Sequence, residues 1–191
     1  MKFFFRQPPL SIRQQYLPKT DFSYAEVGAT KNDLPQQLSK QYKVDRYDGE
    51  IGKGTACFQE AKLALQKWSH FDLGWLHIQA PAPCVDLVVP VVVRVFGIWT
   101  LNYCKVVYVI DEQDKWGFAY GTLSAHGEMG EERFMLYHNP ANDVVSYEIV
   151  AFSKPQHWLA KVGYPLTRRL QRRFGRDSVA AIQKIGRKYT K

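Results

Sequence analysis

No apolar run in this chain approaches the ~20 residues that a membrane-crossing helix needs. The most apolar stretch, Val85 to Ile110, is broken by Asp86, Arg94, Asn102 and Lys105, so a soluble protein is expected. Near the start only Phe3 to Phe5 is apolar before Arg6 and two prolines, too short a run for the core of a signal peptide. The three cysteines, Cys57, Cys84 and Cys104, are far apart and form no Cys-x-x-Cys pair, and an odd number would leave one thiol unpaired in an oxidising compartment. Buried, reduced thiols in a cytoplasmic protein are the expectation. No internal repeat or low-complexity segment is evident.

Several signatures of catalysis are also missing. Gly52-Lys53-Gly54-Thr55 stands before a helical pattern but lacks the Gly-x-x-x-x-Gly-Lys-Ser/Thr spacing of a phosphate loop, so its glycines read as a turn between strand and helix. Ser153 lies near His157, yet no Gly-x-Ser-x-Gly elbow surrounds it and no third residue is evidently placed to orient the histidine. His126 with Glu128 and Glu131 has the donor types for zinc or iron. A glycine-flanked loop does not fix ligands as a His-Glu-x-x-His helix does, and the Pro-Cys-x-x-Cys of a base deaminase is absent. A histidine capping a turn is the simpler reading, and no motif calls for a metal or a cofactor.

What is present is a chain of 191 residues, enough for one domain that buries roughly 70% of its unfolded surface. It is rich in rings, with 14% aromatic residues. These either pack solidly or line a pocket. Net charge is +8, and it is localised. Between Pro165 and Lys191 stand Arg168, Arg169, Arg172, Arg173, Arg176, Lys184, Arg187, Lys188 and Lys191 against a single acid, Asp177, which leaves the remainder of the chain balanced.

Residues 1–41 hold prolines and polar residues without sustained periodicity and read as an extended arm that wraps a domain of residues 42–191. Within that domain a first strand from Tyr42 to Ile51 ends at Gly52 and Gly54. A helix capped by Thr55 then repeats Cys57, Phe58, Ala61, Ala64, Leu65 and Trp68 at three- and four-residue spacing. Short segments rich in Val, Ile, Tyr and Trp follow: 75–79, 87–96, 100–110, 116–123, 131–137 and 144–152. Their links suit hairpins, and with the first strand they make about seven antiparallel strands. A last helix runs from Pro165 to about Tyr189. On a helical wheel Leu166, Leu170, Phe174, Ala181 and Ile185 form an apolar stripe, and Arg168, Arg169, Arg172, Arg176 and Arg187 fill the opposite arc. This order is what an α+β helix-grip architecture needs, in which a curved antiparallel sheet wraps a long C-terminal helix and encloses a pocket.

The blocks WGFAYGTLSAHGEMGEERF (116–134), FSKPQHW (152–158) and GYPLTRRLQRRFGRDS (163–178), with YAEVGAT (24–30) upstream, are similar to an uncharacterised family of bacteria and plants, the domain of unknown function nineteen-ninety. The resemblance covers residues 20 to 185, and one departure is Pro35-Gln36-Gln37 with a longer link to Tyr42. It implies a START-like, Bet v 1-like helix grip that binds a hydrophobic molecule; it implies no reaction.

Strand alternation puts Glu132 on one face with Phe134 and Leu136, and Glu131 on the other with Arg133 and Met135. An inward carboxylate must be paired, hydrogen-bonded or protonated, because burying it bare costs several kcal/mol. Arg168, Arg169, His126 and Tyr120 are candidate partners. Glu132 thus reads either as half of an internal ion pair or as a group that orients a ligand. In the ligand-binding reading Tyr120, Glu132 and Arg168 supply polar contacts, and Trp99, Phe118, Tyr147 and Trp158 shape the wall around a small hydrophobic or amphipathic molecule. A second reading makes Glu132, with His126, an acid or base acting on a cyclic or polyketide-like substrate. A third uses the arginine arc to hold an acidic partner, nucleic acid or an anionic membrane surface. Nucleic acid is the least expected of these, because no aromatic rings interleave with the arginines.

Overall fold

The computed structural model describes residues 2–15, 21–32, 34–124, 126–156 and 163–189. Its strands are β1 (Lys2–Phe4), β2 (Lys43–Lys53), β3 (Leu76–Ile78), β4 (Val88–Val95), β5 (Ile98–Glu112), β6 (Lys115–Thr122), β7 (Glu128–Asn139) and β8 (Val144–Pro155). Its helices are α1 (Leu10–Gln15), α2 (Leu38–Gln41), α3 (Gly54–Gln66) and α4 (Tyr164–Gly186), joined by short 3-10 turns at Ala29–Lys31, Ser69–Phe71 and Arg187–Tyr189. No helix among these residues is long and apolar enough to cross a membrane.

Seven strands follow the path β2-β8-β7-β6-β5-β4-β3, every pairing antiparallel, and the sheet curls around α4 in a helix-grip arrangement. The eighth, β1, is an addition that the polar N-terminal sequence did not announce. It exists because β5 is 15 residues long while β6 pairs only with its Cys104–Glu112 part, which leaves the edge at Trp99–Leu101 open for Lys2–Phe4. The hairpin between β4 and β5 turns on Phe96-Gly97, both in the left-handed region (φ 48° and 82°) that a two-residue hairpin demands.

The core lies between the inner face of the sheet, α3 and α4. Trp68, Phe71, Phe118, Phe134 and Tyr147 are its large rings, with His70 wholly buried among them. The helix α3 keeps the expected apolar positions Cys57, Phe58, Ala61, Ala64 and Leu65 inward. Thr55 is not its cap: the helix starts at Gly54, whose φ of 88° makes the turn and whose N–H donates to the Asp143 carbonyl at 2.9 Å. Cys57 and Cys104 are buried free thiols, but Cys84 is exposed.

The helix α4 sits rotated from the face that apolar residues alone select. Its buried positions are Arg168, Phe174, Gly175, Ser178, Val179, Ile182 and Gly186. Small residues carry the contact with β2: a Cβ on Gly175 would strike the Tyr47 ring, and one on Gly186 would strike the Ile51 carbonyl oxygen. A wheel drawn from hydrophobicity gives glycine and serine no weight, so it misses the line of closest approach.

Candidate functional site

One row of residues crosses the sheet. Asp45 on β2 is opposite Ala151 on β8, which is opposite Glu132 on β7, which is opposite Tyr120 on β6. Strands lie ~4.8 Å apart, so two ionisable side chains and a phenol stand within reach of one another, with only a methyl group between Asp45 and Glu132. Above this row, between the sheet and α4, is a partly open cavity of about 200 Å³. Its polar lining includes Asp45, Tyr120, His126, Glu128, Glu132 and Gln171, and its apolar lining Trp75, Leu76, Val91, Val93, Leu170 and Phe174.

The polar groups form two linked sets. Arg168, expected on the outward arc and as a partner of Glu132, instead points inward from α4 and grips Asp45 with both terminal nitrogens at 2.6 Å. It is 7% exposed, so it takes no part in an outward arginine face. Its Nη1 also donates to Gln171 Oε1, while Gln171 Nε2 donates to Ser153 Oγ at 3.1 Å and to Glu128 Oε2 at 3.4 Å. The second set is simpler: Tyr120 Oη donates to Glu132 Oε2 at 2.9 Å.

Burial sets the protonation of this site. It pushes the Glu132 carboxyl up to about 7, helped by the neighbouring Asp45 charge and opposed by the Tyr120 hydrogen bond. It pushes Glu128 up to about 7 as well, against the pull of Arg168 and Gln171. The Tyr120 phenol and the Cys104 thiol are driven upward by burial and by the Glu132 charge. His126 is held down to about 4 by burial and is therefore neutral at physiological pH. Its Nδ1 lies 3.0 Å from the Glu128 backbone nitrogen and 3.1 Å from the Glu128 carbonyl oxygen, which holds the ring against the start of β7.

Alternation explains which residues of the polar 120–132 cluster meet and which do not. Glu128 and Glu132 share the inner face of β7, whereas the Glu131 carboxylate turns to the outer face. There it accepts hydrogen bonds from Tyr24 Oη (2.7 Å), Gly28 N (2.7 Å), Thr30 N (2.9 Å) and Thr30 Oγ1 (2.5 Å). It fastens residues 24–30 across the back of the sheet, and with the two glutamates on opposite faces His126, Glu128 and Glu131 do not converge on a metal.

Three of the wall residues chosen from sequence lie elsewhere. Phe118 and Tyr147 are on the inner face but belong to the solid part of the core, both 0% exposed, with Tyr147 Oη within 3.1 Å of Ser178 Oγ. Trp99 is on the outer face, packed with Val92, Leu101 and Phe4, because it shares the parity of Leu101 and Tyr103 while Cys104 faces the cavity. Trp158 lies outside the described residues. Asp45 and Gln171 were missed, and Glu128 was weighed only as a metal donor. Asp45 carried a signal in its alternation with Tyr47 and Ile51, but its partner could not be named without the strand order.

A family model described as domain of unknown function (DUF1990) matches residues 23–181. A UPF0548 protein of Dictyostelium discoideum is 33% identical over 198 aligned residues, covering 92% of this chain and 92% of its own. Among solved structures, hypothetical protein jhp0584 from Helicobacter pylori is similar with a TM-score of 0.55 at 10% identity, covering 87% of this chain and 96% of that one. Ara h 8.0201 is similar with a TM-score of 0.48 at 9% identity, over 75% and 99% of the two chains. The likeness to the Helicobacter pylori structure, at 10% identity, is one of fold alone.

Proposed function

Because the chain belongs to the DUF1990 family, a membership that brings a fold and no reaction, we propose from the geometry of its cavity that the protein binds a small amphipathic molecule between the sheet and α4. The observation that carries this reading is the division of the lining into an apolar wall, with Trp75, Val91, Val93, Leu170 and Phe174, and a polar end at Glu128, Glu132 and Tyr120. Ligand sites join a mostly apolar surface to a few convergent polar groups in this way. Size limits the guest: a dry cavity of ~150 Å³ accepts benzene, so one of about 200 Å³ suits a body of one or two rings and is too small for a sterol. Native mass spectrometry after incubation with a library of one- and two-ring compounds tests it. A 1:1 adduct that disappears in Leu170→Trp is the expected result, and an empty wild-type protein throughout the library sinks the reading.

A second reading rests on a different surface. Arg94, Arg169, Arg173 and Arg176 surround a cleft of about 630 Å³ whose rim carries Phe96, 86% exposed at the tip of the β4–β5 hairpin. Arg173 is engaged by Asp177 and the Trp75 ring; Arg169 and Arg176 have no ion-pair partner among the described residues. Basic side chains beside an exposed ring match an anionic lipid surface, whose headgroups attract the charge and whose interface accepts the ring. Co-sedimentation with phosphatidylglycerol vesicles and not with phosphatidylcholine ones, lost in Arg169→Glu/Arg176→Glu and in Phe96→Ser, is the expected outcome. Absence of sedimentation with both, or tighter binding to an oligonucleotide, counts against it.

A further inference from the structure

Resting on the cavity-binding reading, we infer that the molecule this cavity takes is a small organic cation, a protonated amine on an apolar body, with its ammonium held between Glu128 and Glu132.

The argument begins with charge. Four acidic residues line the cavity, Asp45, Glu128, Glu131 and Glu132, and the carboxylate of Glu131 is taken up on the outer face by Tyr24, Gly28 and Thr30. The guanidinium of Arg168 is committed to Asp45 through two 2.6 Å hydrogen bonds, so it makes no direct ion pair with Glu128 or Glu132. Neither Glu128 nor Glu132 has a salt bridge among the described residues, and no other lysine or arginine lines the space. Beside a carboxylate or phosphate ligand Glu128 and Glu132, pushed up to about 7 by burial, would have to stay protonated, whereas a cation is attracted to their ionised forms.

Hydrogen-bonding capacity leads to the same chemistry. Three donors at the polar end are already used: Tyr120 Oη on Glu132, Gln171 Nε2 on Ser153 and Glu128, Arg168 on Asp45 and Gln171. The neutral His126 ring contributes one N–H, and the hydroxyls of Tyr47, Ser153 and Thr167 also line the space. Acceptors remain open. Glu128 Oε1 is buried without a hydrogen-bond partner among the described residues, and the Tyr120 bond uses only Oε2 of Glu132. A buried acceptor without a donor is destabilising, so the site is completed by a ligand that brings donors. An ammonium brings three and no acceptor.

Spacing agrees. Glu128 and Glu132 are four residues apart on one strand, so their Cα atoms stand ~13 Å apart. Two glutamate side chains on one face of the strand can thus approach a single ammonium from opposite sides. The carbon body of the guest then lies against Leu170, Phe174, Val91 and Val93. Burial holds both carboxyls near neutrality in the empty site, and a cation there favours their ionised forms.

Isothermal titration of the full chain with three probes of one shape, benzylamine, benzyl alcohol and sodium benzoate, tests the inference. Benzylamine is expected to bind about tenfold or more tightly than benzyl alcohol, the advantage of a charge-assisted hydrogen bond over a neutral one, and benzoate is expected not to bind. Glu132→Gln and Glu128→Gln should each erase the advantage of the amine, with melting temperature and circular dichroism reporting that the variants are folded. The wild-type ranking stands even if one of them is not. Benzyl alcohol binding as well as or better than benzylamine, or benzoate binding best, overturns the cationic ligand and leaves the cavity reading in place. No binding by any of the three overturns both.

Discussion

At the scale of single residues the site contrasts two buried ionisable groups with opposite pH behaviour. The Glu132 carboxyl moves from an ordinary 4.5 up to about 7 in the folded protein. Between those values the native state holds more protons than the unfolded one, so this group's contribution falls as pH rises from 4.5 to about 7. His70 is the reverse: neither ring nitrogen has a hydrogen-bond partner among the described residues, and burial pulls it from 6.5 down to about 3. The unfolded chain then binds the extra proton, and stability is lost as pH falls from 6.5 toward 3. Glu132→Gln should therefore raise the melting temperature at pH 8 and lose that advantage by pH 4.5, while His70→Phe should flatten the acid limb alone. Thermal melts of the three proteins across pH check both signs.

The Asp45–Arg168 pair supplies the second residue-scale expectation. Removing one partner of a buried pair strands the other charge, so Arg168→Met should destabilise by roughly 3–5 kcal/mol and Asp45→Leu/Arg168→Met by much less. Urea unfolding of the single and double variants distinguishes a structural clamp from two independent charges. Glu132 as an inward acid was legible in the sequence, because period-two alternation with Phe134 and Leu136 needs no knowledge of neighbouring strands. Its separation from Arg168 was not. That depends on β2 lying two strands away in the order β2-β8-β7, which lets Asp45 take the arginine first.

At the scale of elements, α4 against β2 is the contact on which the cavity depends, since the helix is both its roof and the source of Leu170, Gln171 and Phe174. Gly186 lies against the backbone carbonyl of Ile51, which cannot swing aside as a side chain can. Gly186→Ala should destabilise by about 1–3 kcal/mol despite the better helix propensity of alanine. Lys184→Ala, at an exposed position of α4, is the control. Strand positions were readable within two or three residues, because β-branched and aromatic runs broken by Gly, Asp and Asn are strong signals. The wall was less readable. Trp99 and Phe118 are both large rings in strands, and only the pairing register separates one on the outer face from one in packed core and both from Trp75 and Phe174 at the cavity.

At the scale of the whole molecule, the element order carried the architecture: strand, helix, meander and long terminal helix have few ways to bury one common core. The charge distribution was equally visible in the sequence, but its shape was not. Arg168 leaves the outward set for the interior, and Arg94 from β4 joins Arg169, Arg173 and Arg176 around the Phe96 cleft. If that cleft meets anionic vesicles, raising the salt from 0.05 to about 0.5 M should weaken sedimentation severalfold, since screening shortens the reach of exposed charge. A Phe96→Ser variant should weaken it without changing the salt dependence.

Glu131 and Glu132 are consecutive, yet one ties residues 24–30 to the back of the sheet and the other faces the space under the helix. Inserting or deleting a single codon within β7 would exchange their destinations, sending the tether into the cavity and leaving the guest's acid among the N-terminal residues. Length variation among descendants of this gene should therefore collect in the hairpin turns and spare the strand, even where its side chains drift.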